Sequence, residues 1–160
     1  MKKFILTLFL LVLPMLSALD KAYAEIPAQM AIKAIMGEAR GEFGYKKDKK
    51  LMAMVLIGEA IRNRSQIPIY KKDPMGGIYG FNAKNIKEPS WVWSTAKEAW
   101  NQSASTNYLK GGYIWGTKAD IKKFSKQEWF KNMEPVLTYG NHTFFREKSR
   151  HKKGVKSMRR

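Results

Sequence analysis

Leu51-Met52-Ala53-Met54-Val55-Leu56-Ile57 carries no polar side chain, and the run continues through Gly58-Glu59-Ala60-Ile61, with Glu59 its one charge, as far as Arg62. A helix that is apolar all round has no face to give to water. The stretch therefore predicts a helix over about 48–64 as the most buried element of the domain. On its N-terminal side lies a charged connector, Tyr45-Lys46-Lys47-Asp48-Lys49-Lys50. Before that, Ile32, Ile35, Met36 and Ala39 repeat at the spacing of one buried helical stripe. They predict a helix over about 27–42, with Pro27 at its start and Gly41 and Gly44 at its end.

On the C-terminal side, Pro68, Pro74, Gly76-Gly77, Gly80 and Pro89 mark 65–90 as loop. A third helix fits 90–103, with Ser90 as N-cap and Trp93, Ala96 and Trp100 on one face. Tyr113-Ile114-Trp115 after Gly111-Gly112 reads as a short strand, and Ser125 as the cap of a short helix reaching Met133. Val136–Phe145 reads as a final strand region. No internal repeat occurs.

The chain has 160 residues, with 30 Lys and Arg, 13 Asp and Glu, a formal charge of +17 and no cysteine. That excludes a disulfide-stapled mini-domain, an acidic disordered tail and a multi-domain assembly, and leaves one domain. Residues 1–24 read as a secretory signal peptide: Lys2-Lys3, an apolar run from Phe4, and Ala22-Tyr23-Ala24 before Glu25. The run is broken by Thr7, Pro14 and Ser17, which suits a cleaved address better than a membrane span of about 20 apolar residues. Cleavage removes three lysines and one aspartate, leaving 27 basic and 12 acidic side chains, a charge of +15, on 25–160. The expected location is the periplasm or the extracellular cell wall. The working domain is expected over 25–147, and a basic, flexible tail over 148–160.

Two histidines, His142 and His151, cannot build a multi-histidine metal centre, and no thiol nucleophile or Gly-x-Ser-x-Gly elbow exists. No metal or cofactor is expected, and carboxylate chemistry remains. Glu38 and Glu42 lie four apart, on one side of the first expected helix, with Glu38 at the margin of the buried stripe. Partial burial raises the pKa of a carboxyl, which a general acid needs. Two solvated surface glutamates fit the same spacing. Glu59, inside the apolar helix, is a further candidate; an ion pair with Arg40, Arg62 or Arg64 is the simpler account of it.

Gly37-Glu38-Ala39-Arg40-Gly41-Glu42, followed by Gly58-Glu59-Ala60-Ile61-Arg62-Asn63-Arg64, resembles the two opening motifs of the SleB-like cell wall hydrolases, which include spore-cortex-lytic enzymes and phage-borne relatives. The likeness continues through Ile78-Tyr79-Gly80-Phe81-Asn82, Trp91-Val92-Trp93 and Trp100, and ends with Trp129, Met133, Thr138 and His142-Thr143-Phe144-Phe145. It spans about 30–147. The connector between the opening motifs is longer than is common in the family, and Gly116-Thr117 departs from its more polar residues.

The resemblance implies an α+β, mainly helical, lysozyme-like domain with a small antiparallel sheet. It implies cleavage of peptidoglycan glycan strands between N-acetylmuramic acid and N-acetylglucosamine, with Glu38 as catalytic acid. It also implies lytic transglycosylation, which ends in an anhydro sugar. Ordinary glycoside hydrolysis uses two carboxylates, whereas transglycosylation can run on one, because the sugar's own 6-hydroxyl attacks. Glu42, one turn from Glu38, would sit beside it and not across a sugar.

Sugars stack on aromatic rings. Tyr79 and Phe81, flanking a glycine, are the better groove candidates, with Asn82 placed to bond an N-acetyl group. Tyr113 and Trp115 share a face and fit groove or core equally; Trp93 and Trp100 fit core. Asn63 fits a helix-end cap and His142 a structural histidine, and both are carried as substrate-binding candidates with Glu42 and Glu59. The alternative reading is a non-catalytic basic protein that binds envelope glycan or, less well supported, nucleic acid. An export signal and the lack of a dedicated basic helix face argue against a nucleic-acid partner. An anionic cell envelope surface accounts for the charge. The sequence does not set an oligomeric state.

Overall fold

The computed structural model describes residues 26–44, 46–78 and 87–149. The expected signal peptide, Tyr79, Phe81, Asn82 and the basic tail from Arg150 onward lie outside these.

The apolar run forms the centre of the fold. Helix α2, Lys47–Ser65, buries every residue from Ala53 to Ile61. Helix α1, Ala28–Ala39, lays its Ala31, Ala34, Ile35 and Ala39 stripe on it, and α3, Ser90–Gln102, adds Val92, Ala96, Ala99 and Trp100. Truncating Leu56 or Ile57 at this junction would cost about 2–5 kcal/mol. Gly58 makes the crossing close: a Cβ there would stand 2.9 Å from Ser103 Oγ and 3.3 Å from Ile35 Cδ1. Arg62 ties the two helices at their ends. Its Nε donates to Ser103 Oγ at 3.0 Å and its Nη2 to the Trp100 carbonyl at 2.9 Å, with the guanidinium 3.6 Å from the Trp100 ring centroid.

Three strands follow, β1 (Ile114–Gly116), β2 (Met133–Tyr139) and β3 (His142–Glu147), in an antiparallel sheet ordered β1-β3-β2. Successive side chains on a strand point to opposite faces. So Phe144 enters the helical core while Phe145 packs with Tyr113 and Met133 on the other side. Helix α4, Lys118–Phe124, and a 3-10 turn, Glu128–Asn132, connect β1 to β2. The domain is α+β and mainly helical, with a small antiparallel sheet, as the sequence implies.

Several local expectations are corrected. Helix α1 stops at Ala39, short of 42, because Phe43 and Gly44 both take positive φ, 57° and 53°. Glu42 is thus off the helix and is not Glu38's neighbour on a helical face. The buried Lys50 donates from Nζ to the Arg40 carbonyl at 2.6 Å, closing the turn that follows α1; burial lowers its pKa. Ser90 lies inside α3 and caps nothing with its side chain; Pro89 precedes the helix. The short helix expected from Ser125 to Met133 is a 3-10 turn, Glu128–Asn132, that Ser125 does not cap, and the helix before it, α4, was not expected; its cap is Thr117. Thr117 accepts from the Asp120 N–H, and Asp120 accepts from the Thr117 N–H, a reciprocal capping box. The single strand region over 136–145 is two strands turning at Gly140-Asn141. Arg146 belongs to β3 and pairs with Glu134 at 2.7 Å, and Lys148 Nζ reaches the Lys131 carbonyl at 2.8 Å, so the chain is still tied where the tail was expected to begin.

Candidate active site

Glu38 sits on the last turn of α1, beside the buried stripe, and its half-buried carboxylate lines a cleft of about 600 Å³. The size is that of a small-ligand site. Strand β1 crosses the cleft wall and brings Trp115 against Glu38: the indole Nε1–H donates to Oε2 at 3.2 Å. An indole N–H can only donate, so this contact orients one carboxylate oxygen and leaves its ring face as apolar wall.

The remaining walls divide by chemistry. Phe124 and Trp129 supply aromatic surface, tilted on each other with centroids 5.6 Å apart. Trp129 is 46% exposed, unusual for so large an apolar ring, and stands at the rim. Tyr113 and Tyr70 meet edge to face at 6.0 Å. The Tyr113 hydroxyl donates to Glu147 Oε1 at 3.1 Å, and burial, with this carboxylate beside it, raises its pKa well above the ordinary phenol value. Arg64, Asp120 and Lys123 add polar groups to the lining. The Asp120 carboxylate accepts from Thr117 N at 3.0 Å and Thr117 Oγ1 at 2.7 Å, and these bonds lower its pKa despite partial burial.

Of the sequence-derived candidates, the structure brings Glu38, Tyr113 and Trp115 together on the cleft lining. Glu42 is elsewhere. It is 4% exposed, its Oε1 is 3.0 Å from His142 Nδ1, and both its oxygens lie 3.2 Å from the Asn141 N–H. Glu42 and His142 together lock the β2–β3 turn onto the end of α1. Glu59 is 2% exposed and accepts from Thr106 Oγ1 at 2.9 Å, Tyr108 N at 3.1 Å and Leu109 N at 2.8 Å. It organises the segment after α3 and forms no ion pair with the nearby arginines among the described residues. Asn63 donates to the Gly112 carbonyl at 2.8 Å and fixes the approach to β1. All four serve the frame around the cleft.

Sequence reasoning did not single out Arg64, Asp120, Phe124 or Trp129 as site residues. Thr117-Lys118-Ala119-Asp120 is a capping-box pattern and would have placed Asp120 at a helix start. No local signal turns Phe124 or Trp129 toward Glu38, because the sheet does that. Among the described residues, no group of three His, Asp or Glu side chains is placed to hold a metal ion, and no helix is long and apolar enough to cross a membrane.

No protein-family model matches the chain, and no curated protein matches it. Solved structures do. The catalytic domain of Bacillus cereus SleB superposes with a TM-score of 0.51 at 17% identity, covering 79% of this chain and 94% of that one. The catalytic domain of the germination-specific lytic transglycosylase SleB from Bacillus anthracis gives 0.50 at 18% identity, covering 79% and 99%. The chain has the fold of the SleB catalytic domains.

Proposed function

We propose that this protein cleaves the glycan strands of peptidoglycan between N-acetylmuramic acid and N-acetylglucosamine, as a lytic transglycosylase with Glu38 as its one acid and base. The observation that carries the reading is the Glu38 carboxylate on the wall of an aromatic-lined cleft, oriented by the Trp115 indole. The SleB fold, one bearer of which is described as a lytic transglycosylase, supports it.

In this reaction Glu38 gives its proton to the glycosidic oxygen as the bond to the muramyl C1 breaks. The muramyl 6-hydroxyl then closes on C1, and its proton passes to the Glu38 carboxylate. The products are a free N-acetylglucosamine hydroxyl and a 1,6-anhydro-muramyl end, and Glu38 is restored without water entering. Trp115 positions the carboxylate, and Phe124 and Trp129 offer faces on which sugar rings stack. Asp120 also borders the cleft, but its oxygen is engaged by Thr117. Residues 1–24 direct export, and the surplus positive charge holds the enzyme on an anionic wall.

Incubation of the protein with purified sacculi, followed by mass spectrometry, tests this. Anhydro-ended muropeptides are expected from the native protein, and none from Glu38→Gln. Release of fragments by Glu38→Gln sinks the mechanism. Binding without release by the native protein favours a glycan-binding role.

A further inference from the structure

Arg64 is a charge that the fold buries with no counter-ion among the described residues. It is 6% exposed, at the end of α2, and lines the cleft that holds Glu38. Its Nη2 donates to the Gly76 carbonyl at 2.7 Å. The guanidinium lies 4.2 Å from the Tyr70 ring centroid and 5.7 Å from that of Trp115. Its Nε is buried with no hydrogen-bond partner among the described residues. Glu38 and Asp120 border the same cleft, yet neither pairs with it, and Arg64 belongs to no ion pair among the described residues. Residues 79–86, outside the described structure, contain no Asp or Glu.

Two other arginines are satisfied: Arg62 by a hydroxyl and a carbonyl, Arg146 by Glu134. A buried guanidinium lacking a carboxylate is costly unless something supplies one. Its planar fork matches a carboxylate with two parallel bonds. The Tyr70 ring lies against the guanidinium, and the exposed Lys123 on the same lining adds positive potential. A neutral N-acetyl carbonyl would leave the charge uncompensated.

We propose that Arg64 is the anion-recognition residue of the cleft, and that it takes a carboxylate carried by the muramyl unit. This rests on the glycan reading above and adds to it the group by which the muramyl unit is recognised, its acid and not its N-acetyl group. That carboxylate belongs either to the lactyl ether, where the sugar is bare, or to the stem peptide, where it is substituted.

The test uses full-length Glu38→Gln protein, to prevent turnover, titrated with four probes by calorimetry. These are glycan strands stripped of peptide, the same strands methyl-esterified, peptide-bearing strands, and their methyl esters. Esterification is expected to weaken binding by about tenfold or more, the size of a charge-assisted pair. A loss confined to the stripped strands assigns the lactyl carboxylate, and one confined to the peptide-bearing strands assigns the stem; each supports the site. Adding Arg64→Gln should abolish the difference between acid and ester. Should that variant not fold, the acid-to-ester ratio with Arg64 in place decides alone. Equal affinity for acid and ester overturns the anion site and leaves the glycan reading standing. No binding of any strand overturns both.

Discussion

Gly-Glu-Ala occurs twice in this chain, at 37–39 and 58–60, and the two glutamates meet opposite fates. Glu38 is on the last turn of α1, half-buried, with an indole N–H on one oxygen and a cleft before it. Glu59 is in the middle of α2, 2% exposed, with two backbone N–H groups and a hydroxyl aimed at it. The same tripeptide lines a cleft in one place and forms a structural joint in the other. The difference lies in what each helix does next. Helix α1 ends beside the cleft that Glu38 lines, whereas α2 runs on and the chain after α3 folds over Glu59. A carboxylate whose acceptor sites are filled by fixed donors has little left for a substrate.

This contrast is sharpest where one substitution moves activity and another moves stability. Glu38→Gln is expected to cut turnover on peptidoglycan by about 10²–10⁴-fold, the range of general acid–base catalysis. Its unfolding free energy should stay within about 0.5 kcal/mol of native, since Gln keeps an acceptor for Trp115. Urea denaturation beside a muropeptide release assay reads both. A large stability loss with residual turnover would reverse the roles assigned to the two glutamates.

Glu59→Ala should do the opposite. Removing an acceptor shared by Thr106, Tyr108 and Leu109 leaves the buried Leu109 N–H and the part-buried Tyr108 N–H unpaired, at a cost of about 3 kcal/mol. The urea midpoint should fall with an unchanged slope. An unaltered midpoint would mean that the three bonds are not formed in solution.

The joint at Glu42 has its own probe. Gly140 takes φ +59°, and a Cβ there would run into the Glu42 carboxylate. Gly140→Ala should therefore cost about 2 kcal/mol from backbone strain alone, plus the displaced Glu42–His142 contact. A thermal melt that matches the native one would show the turn to be free of α1.

The helical half was readable because its signal is local. The Leu51–Ile57 run needs nothing but its own composition to declare a buried helix, and α1 and α3 show their stripes at helical spacing. The sheet half was less so. Val136–Phe145 looked like one strand because β3 is buried on both faces, so Phe144-Phe145 breaks the alternation that would have separated it from β2. Tyr139-Gly140-Asn141, the turn, was the signal passed over. The place of Glu38 on the cleft wall was legible from its position at the stripe's edge. Glu42, Glu59 and His142 were misplaced for a shared reason: their partners are backbone groups and side chains 47 to 100 positions away, which no spacing rule sees.

A small stability effect belongs to Asp120, and its variant settles whether the cleft holds one working carboxylate or two. Its bonds to Thr117 lower its folded pKa, so it contributes stability above the unfolded value of about 3.9, and that contribution fades as pH falls through the folded value. Asp120→Asn should then be less stable than native by about 0.5 kcal/mol at pH 7, because the charge at the start of α4 is lost. The gap should close below about pH 4. If Glu38 works alone, this variant turns over within a few-fold of native and still releases anhydro ends. If Asp120 instead activates water across the sugar, turnover falls by about 10²–10⁴-fold, and the native products carry reducing ends. An aspartate that costs little stability and much activity would move the second carboxylate from the helix cap into the chemistry, and Glu38 would then share the cleft with a partner.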